Sequence, residues 1–375
     1  MSVQQILDRF HTVASNPAKQ KDAYLAAGKK VVLVAPIYTP EEIIHSMGLI
    51  PMGAWGGDIQ IQKSKEYFPA FICSIIQSIL EMGMRGTYKG ASALVVPSLC
   101  DSLKCLGQNW KYAVTSIPFI PMTYPQNRRC GSAHDFIKAG YNRVISDLET
   151  AAGVRFDESA LKQSNAVYNE HNAVMRRLDS ELAGHPEVTA ASRSDIFKSA
   201  WFMEKGEHTA LVQELLQALE NGKTGKPDNI PVMTTGILCD NPSLLSIFDK
   251  LKFHIVADDI AAESRQYRTD INMEGAPLDE LADKFARMDN CSVLYDPDKK
   301  RAGLITSTAR SRDAKGVVVV LTKFCDPEEF DYVIIKKACE AEGLPVLLIE
   351  VDRQMVDYAQ AKTALETFKE VLTAR

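Results

Sequence analysis

The sequence predicts an α/β protein built from two doubly wound, mostly parallel sheets with a helical segment between them. Three observations point there. Short apolar, β-branched runs recur along the chain, amphipathic helical stretches separate them, and the two alternate as βαβ units do. The 375 residues agree, since about 150 residues per domain leaves room for two domains or three.

In chain order, the expected strands are Lys30–Ala35 (KVVLVA), Ala93–Pro97 (ALVVP), Pro118–Met122, Ile230–Thr235, Phe253–Ala257, Gly316–Leu321 (GVVVVL) and Leu344–Val351. Most are runs of Val, Leu, Ile and Ala, short enough for one strand and apolar enough to be covered on both faces. The first three define an N-terminal α/β domain, residues 1–150. From Asp135 to Glu220 the spacing suits helices, charges are frequent and strand signals are few. These helices are expected to pack on the first sheet and lead into the second. Residues 151–226 are accordingly read as a helical segment and linker, with the Gly-, Lys- and Pro-rich break Asn221–Asn229 (NGKTGKPDN) at its end. The last four strands form a C-terminal α/β domain, residues 227–375. The turn Gly53–Gly57 (GAWGG), after the apolar stretch Gly48–Met52, suits either a tight turn or close approach of a ligand to the backbone. Sheets of this Rossmann or flavodoxin-like kind bind ligands beyond the carboxyl ends of their strands, where loops diverge and helix N-termini offer free amides.

The formal charge of −5 lacks the basic footprint of a nucleic-acid-binding protein. No run approaches the ~20 apolar residues needed to cross a bilayer, and Met1–Lys21 is polar without a signal-peptide core. A soluble cytoplasmic protein with no membrane or nucleic-acid partner is expected. No GxGxxG is present, which argues against NAD. Gly222-Lys223-Thr224 resembles the end of a P-loop, but position 217 is Gln where the first glycine should stand, so a solvated linker explains it better.

Eight cysteines are too few for a disulfide scaffold in a chain this long, and without a secretion signal they are expected as thiols or metal ligands. There is no CxxC pair and no Cys-His spacing of the zinc-finger kind. Position along the strands separates them. Cys100 follows ALVVP by three residues, where a helix should begin at Asp101. Cys325 follows GVVVVL similarly, with Asp326 and Pro327 placed as N-cap and first-turn proline. Cys239-Asp240 is a third elbow of this kind. Cys73, in YFPAFICSIIQSIL, stands in the first turns of a buried helix that can face the same cleft. Three thiolates from distant positions suit an iron–sulfur cluster, and helix N-termini favour the thiolate; ordinary buried thiols are the alternative. Cys105, Cys130, Cys291 and Cys339 lack the elbow and read as structural.

Other constellations carry less. Glu42 and His45 make one Glu-x-x-His pair after Thr39-Pro40, whereas a di-iron carboxylate site needs two; a capped helix start is the better account. Asp258-Asp259, after FHIVA, suit helix capping at least as well as a site. No serine has the GxSxG context of a hydrolase.

The runs APIYTPEEIIHSMGLIPMGAWGG, FPAFICSIIQS, PSLCDSLKCLGQNW, VADDIAAESRQYR and KFCDPEEFDY occur in that order between about Lys30 and Asp352. Together they resemble the D-component of the 2-hydroxyacyl-CoA dehydratases, the family of lactoyl-CoA, phenyllactyl-CoA, 2-hydroxyisocaproyl-CoA and 2-hydroxyglutaryl-CoA dehydratases, related to benzoyl-CoA reductase. The resemblance implies a heterodimer whose two related subunits each carry one 4Fe-4S cluster, held by three cysteines between two α/β domains. Here those would be Cys73, Cys100 and Cys325, with a non-cysteine ligand on the fourth iron; Cys239 leaves the set. It further implies reversible elimination of water from an (R)-2-hydroxyacyl-CoA to a 2-enoyl-CoA, as in anaerobic amino-acid fermentation. One electron added to the thioester carbonyl gives a ketyl radical that expels the hydroxyl and acidifies the β-proton; the electron returns after deprotonation. ATP is used only by a separate iron–sulfur activator protein. The length and the phrases FPAFICSIIQS and CLGQNWK resemble the smaller, β subunit, whose cluster would relay electrons to the acyl-CoA site of the larger α subunit. Glu41 and Glu42 are then candidates to hydrogen-bond ligand or activator at the cleft mouth, with helix capping as the alternative. A benzoyl-CoA reductase-like subunit and a non-catalytic electron-transfer iron–sulfur protein are the competing readings.

Overall fold

The computed structural model describes residues 1–220 and 229–374; residues 221–228, which contain Gly222-Lys223-Thr224 and nearly all of the expected linker, lie outside the described residues. All seven expected strands form, and an eighth joins them. β1 (Val31–Val34), β2 (Ile50–Gly53), β3 (Ala93–Pro97) and β4 (Phe119–Met122) make one sheet in the order β2-β1-β3-β4. β5 (Ile230–Gly236), β6 (Phe253–Ile260), β7 (Val317–Thr322) and β8 (Val346–Val351) make a second in the order β6-β5-β7-β8. Every pairing is parallel. β1, β3 and β7 are buried along their whole length, as unbroken Val and Leu runs require of strands covered on both faces.

β2 is the strand the sequence hides. It carries Pro51 and ends in Gly53, both of which argue against a central strand, and it is tolerated because it lies at the sheet edge and pairs only with β1.

The two sheets repeat one topology. In each, the chain begins on an inner strand, moves out to one edge and then crosses back, so strand order reverses between β1 and β3 and again between β5 and β7. At such a reversal the loops leaving neighbouring strands run in opposite directions and open a crevice.

The region from 133 to 220 is helical, as expected, in helices Ala133–Ala152, Glu158–Leu182, Ala190–Ser199 and Lys205–Glu220. Only the first packs on β3 and β4. The other three gather with helix Val3–Ser15 around a separate core that includes Phe10, Leu178, Phe197 and Leu215. The spacing of Ile6, Leu7, Phe10 and Ala14 explains why: it gives Val3–Ser15 one apolar face, which needs a partner. The main core runs continuously through both sheets. No helix among the described residues is long and apolar enough to cross a membrane.

The end of β5 offers a test of this packing. Gly236 has φ +149°, and a Cβ there would stand 2.2 Å from the Val320 carbonyl oxygen on β7. Gly236→Ala is expected to destabilise the protein by about 1–3 kcal/mol, read as a lower urea midpoint.

Candidate functional site

Both strand-order reversals open into one cavity of about 540 Å³. Pro36 and Ile37 reach its wall from the loop after β1, Leu99 and Cys100 from the loop after β3, Ile237 from the loop after β5, and Phe324 and Cys325 from the loop after β7. Cys73 joins them from the start of helix Ser74–Met84, and Ser292–Pro297 closes one side. Cys100 and Cys325 thus follow the third strand of their respective sheets, at equivalent places. Cys239 is buried on a small separate cavity, while Ile237 from the same loop lines the large one. Of the cysteines expected to be structural, Cys291 and Cys339 are buried, but Cys105 and Cys130 are exposed and support no core.

Each of the three cysteines on the wall is the N-cap of a helix: Cys73 of Ser74–Met84, Cys100 of Asp101–Ala113 and Cys325 of Asp326–Ala341. Asp326, expected as the cap, instead takes the first helical position. Phe324, just before Cys325, is held at φ +61°, a left-handed conformation that costs energy for a residue with a side chain.

Burial pushes the Cys73 thiol up to about 12 and the Cys100 thiol up to about 11. Cys325 is raised well above an ordinary thiol, first by burial and then by the charge that Cys73 would carry. Amides at the helix starts pull the other way: Ile75 and Ile76 on Cys73, Leu103 and Ser102 on Cys100, Glu328 on Cys325. Left alone, these thiols stay protonated; a bound metal centre would take them as thiolates.

Among the described residues, no three His, Cys, Asp or Glu side chains converge on a point as a single metal ion requires. A polynuclear iron–sulfur cluster makes a different demand, because each thiolate binds its own iron and the ligands stand around a volume. Three thiols on one largely apolar wall fit that group, and three helix N-termini add partial positive charge where the cluster and its thiolates would gather negative charge.

Glu41 and Glu42 line a second, smaller cavity of about 70 Å³, and the loop after β1 runs between the two cavities. Glu41 accepts a hydrogen bond from Tyr168 Oη at 3.1 Å and pairs with Lys205 Nζ at 3.0 Å; buried Glu42 pairs with Lys284 Nζ at 2.6 Å. The expected helix cap is not made. Helix Glu41–Ser46 starts at Pro40 without a side-chain cap, and the Thr39 hydroxyl donates back to the Ala35 carbonyl. His45 contacts Ser164 and Glu204.

Asp258 and Asp259 stand neither on the wall of the large cavity nor at a helix start; both are buried within β6. Arg193 binds Asp258, while Arg265, Arg268 and Arg301 reach Asp259 at 3.1, 2.7 and 2.8 Å. Sequence reasoning missed where this network leads. Arg265 and Arg301 also hold Glu328, at 3.1 and 2.8 Å, in the first turn of the helix that Cys325 caps. Ser292, on the cavity wall, donates its hydroxyl to Glu328 at 2.7 Å. Two acids inside an apolar strand were a visible signal; the arginines that meet them were not.

The chain matches the family model for 2-hydroxyglutaryl-CoA dehydratase, D-component, over residues 36–372. It is 41% identical over 365 residues to the (R)-phenyllactyl-CoA dehydratase beta subunit of Clostridium sporogenes, covering 97% of each chain. It is 41% identical over 374 residues to lactoyl-CoA dehydratase subunit beta of Anaerotignum propionicum, covering 99% of each. To (R)-2-hydroxyglutaryl-CoA dehydratase, subunit beta, of Acidaminococcus fermentans it is 35% identical over 379 residues, covering 99% of this chain and 100% of that one.

Proposed function

Since the chain belongs to the 2-hydroxyglutaryl-CoA dehydratase D-component family, we propose that it is the β subunit of a 2-hydroxyacyl-CoA dehydratase, a hydro-lyase that works with a larger α subunit. The observation that carries this reading is the meeting of Cys100 and Cys325, from equivalent places in two sheets, with Cys73 on one cavity wall. These three would hold a 4Fe-4S cluster and leave its fourth iron to a non-cysteine ligand. When bound, the cluster supplies one-electron transfer for a reversible elimination of water from an (R)-2-hydroxyacyl-CoA through a ketyl radical.

The residues of this chain prepare the place. Ile37, Leu99, Ile237 and Leu294 keep part of the wall apolar, which lowers the local dielectric and strengthens every charge interaction inside it. Glu328, fixed by two arginines, anchors the helix start behind Cys325. The Ser292 hydroxyl donates its proton to Glu328 and accepts from Arg265 Nη1 at 3.3 Å, so one lone pair remains for a protic group in the cavity. As a β subunit the chain relays electrons toward the acyl-CoA site of the α subunit, and a separate iron–sulfur activator hydrolyses the ATP that starts the cycle.

Co-expression with an α-type subunit, followed by anaerobic assay with activator across a panel of acyl-CoA thioesters, tests the reading. Formation of a 2-enoyl-CoA from a 2-hydroxyacyl-CoA, started by ATP, is expected. Ring reduction of an aryl-CoA in its place would make the chain a reductase subunit. A redox-active cluster unmoved by any thioester would make it a non-catalytic electron carrier.

A further inference from the structure

β7 and β8 end together, with Thr322 paired to Val351 and the Lys323 amide donating to the Val351 carbonyl at 3.0 Å. Cys325 and Arg353 therefore leave the second sheet side by side. Cys325 turns into the large cavity. Arg353, only 6% exposed, crosses to the other half of the molecule.

Its contacts there are specific. The Arg353 backbone N–H donates to Ser74 Oγ at 3.1 Å, and Ser74 directly follows Cys73. Nη1 donates to Asp58 Oδ1 at 3.1 Å and Nη2 to the Trp55 carbonyl at 3.2 Å, both in the loop after β2. The same guanidinium forks onto Asp240, in the loop after β5, at 2.9 and 3.3 Å. Lys198 Nζ shares Asp240 Oδ2 with the guanidinium, at 2.8 Å, and Asn241 adds a second crossing contact by donating to Asp58 Oδ2 at 2.9 Å. A planar guanidinium accepts only a narrow range of partner positions. The Arg353 guanidinium thus ties the loop after β5 to the loop after β2, and its backbone N–H meets the residue after Cys73, while Cys325 emerges from the neighbouring strand.

We infer that Arg353 is a positioning residue that sets the separation between Cys73 and Cys325 across the two halves. The inference rests on the reading that these cysteines act together, and it is testable without iron. The reduced, metal-free full chain is treated anaerobically with a short bis-maleimide, and cross-linked peptides are quantified by mass spectrometry. Cys73 and Cys100 both belong to the first half, so their cross-link is the internal reference. Arg353→Met is expected to lower the ratio of Cys73–Cys325 to Cys73–Cys100 cross-links at least several-fold. Arg353→Lys, which keeps the charge without the fork, should fall between the two. An unchanged ratio in folded Arg353→Met overturns the inference. So does an equal fall of both cross-links, which would mark a general loss of stability. Should Arg353→Met fail to fold by near-ultraviolet circular dichroism, Ser74→Ala and Asp58→Asn decide: each removes one crossing contact and is expected to lower the same ratio, and no change in either is an equal refutation. Failure of the iron–sulfur reading shows separately, as wild-type chain that takes up no cluster while its cross-link ratio stays as measured.

Discussion

Cys100→Ala and Cys325→Ala, reconstituted anaerobically with iron and sulfide, should each lose the cluster, with iron falling from about four per wild-type chain toward none. Each thiol comes from a different helix start, so removing one leaves a corner of the cluster without a protein ligand and no described cysteine on the wall to replace it. The fold should survive, because both residues are only partly buried and both have the negative φ that alanine adopts freely, −141° at Cys100 and −92° at Cys325. Cys73→Ala should behave alike. Cys239→Ala is the control, expected to keep a full complement because its side chain belongs to another cavity. Iron and sulfide analysis, with the thiolate-to-iron absorption, reads the result. A full complement in Cys100→Ala or Cys325→Ala would sink the ligand assignment.

Arg265→Ala is expected to destabilise the chain by about 3–5 kcal/mol, because it leaves buried charge without its partner. The Arg265 side chain is fully buried and binds Asp259 and Glu328 at once, while also donating to the carbonyls of Gly236 at 3.0 Å and Asp259 at 2.6 Å. Burial alone would push both carboxyls up; the arginines together hold Asp259 and Glu328 below the usual carboxylate range. Take one arginine away, and either a carboxylate stays charged in a poor solvent or it must bind a proton. Equilibrium denaturation in urea measures the loss, and a change under about 1 kcal/mol, the worth of a surface pair, would show the network to be dispensable. Because Glu328 lies in the first turn after Cys325, the variant should also take up iron less completely than wild type.

Much of the fold was legible along the chain. GVVVVL and ALVVP could only be strands covered on both faces, and their alternation with amphipathic segments implied parallel sheets. β2 was not legible, since Pro51 and Gly53 are tolerated only by an edge position that local signals do not reveal. Likewise, three of the helices after β4 were expected on the first sheet but share a separate core with Val3–Ser15; Ala190–Ser199 and Lys205–Glu220 pack on that helix directly, with side-chain contacts 184 and 205 residues apart in sequence that no local period encodes.

For the site, the boundary is sharper. The sequence by itself determined which residue types stand at strand ends, and so marked Cys100, Cys239 and Cys325 as elbows on purely local grounds; the resemblance, not the spacing, put Cys73 in place of Cys239. Tertiary structure decided which of the elbows look into one volume. Two sheets of the same topology bring their order reversals together, and the loop after β5 turns Ile237 to that volume and Cys239 away from it. Nor could the chain alone show that Arg265, Arg301 and Arg353 hold the helix starts and loops behind the cysteines. A strand's identity follows from a short run of adjacent apolar residues, whereas the direction a thiol faces and the partner of a buried charge depend on how distant segments pack.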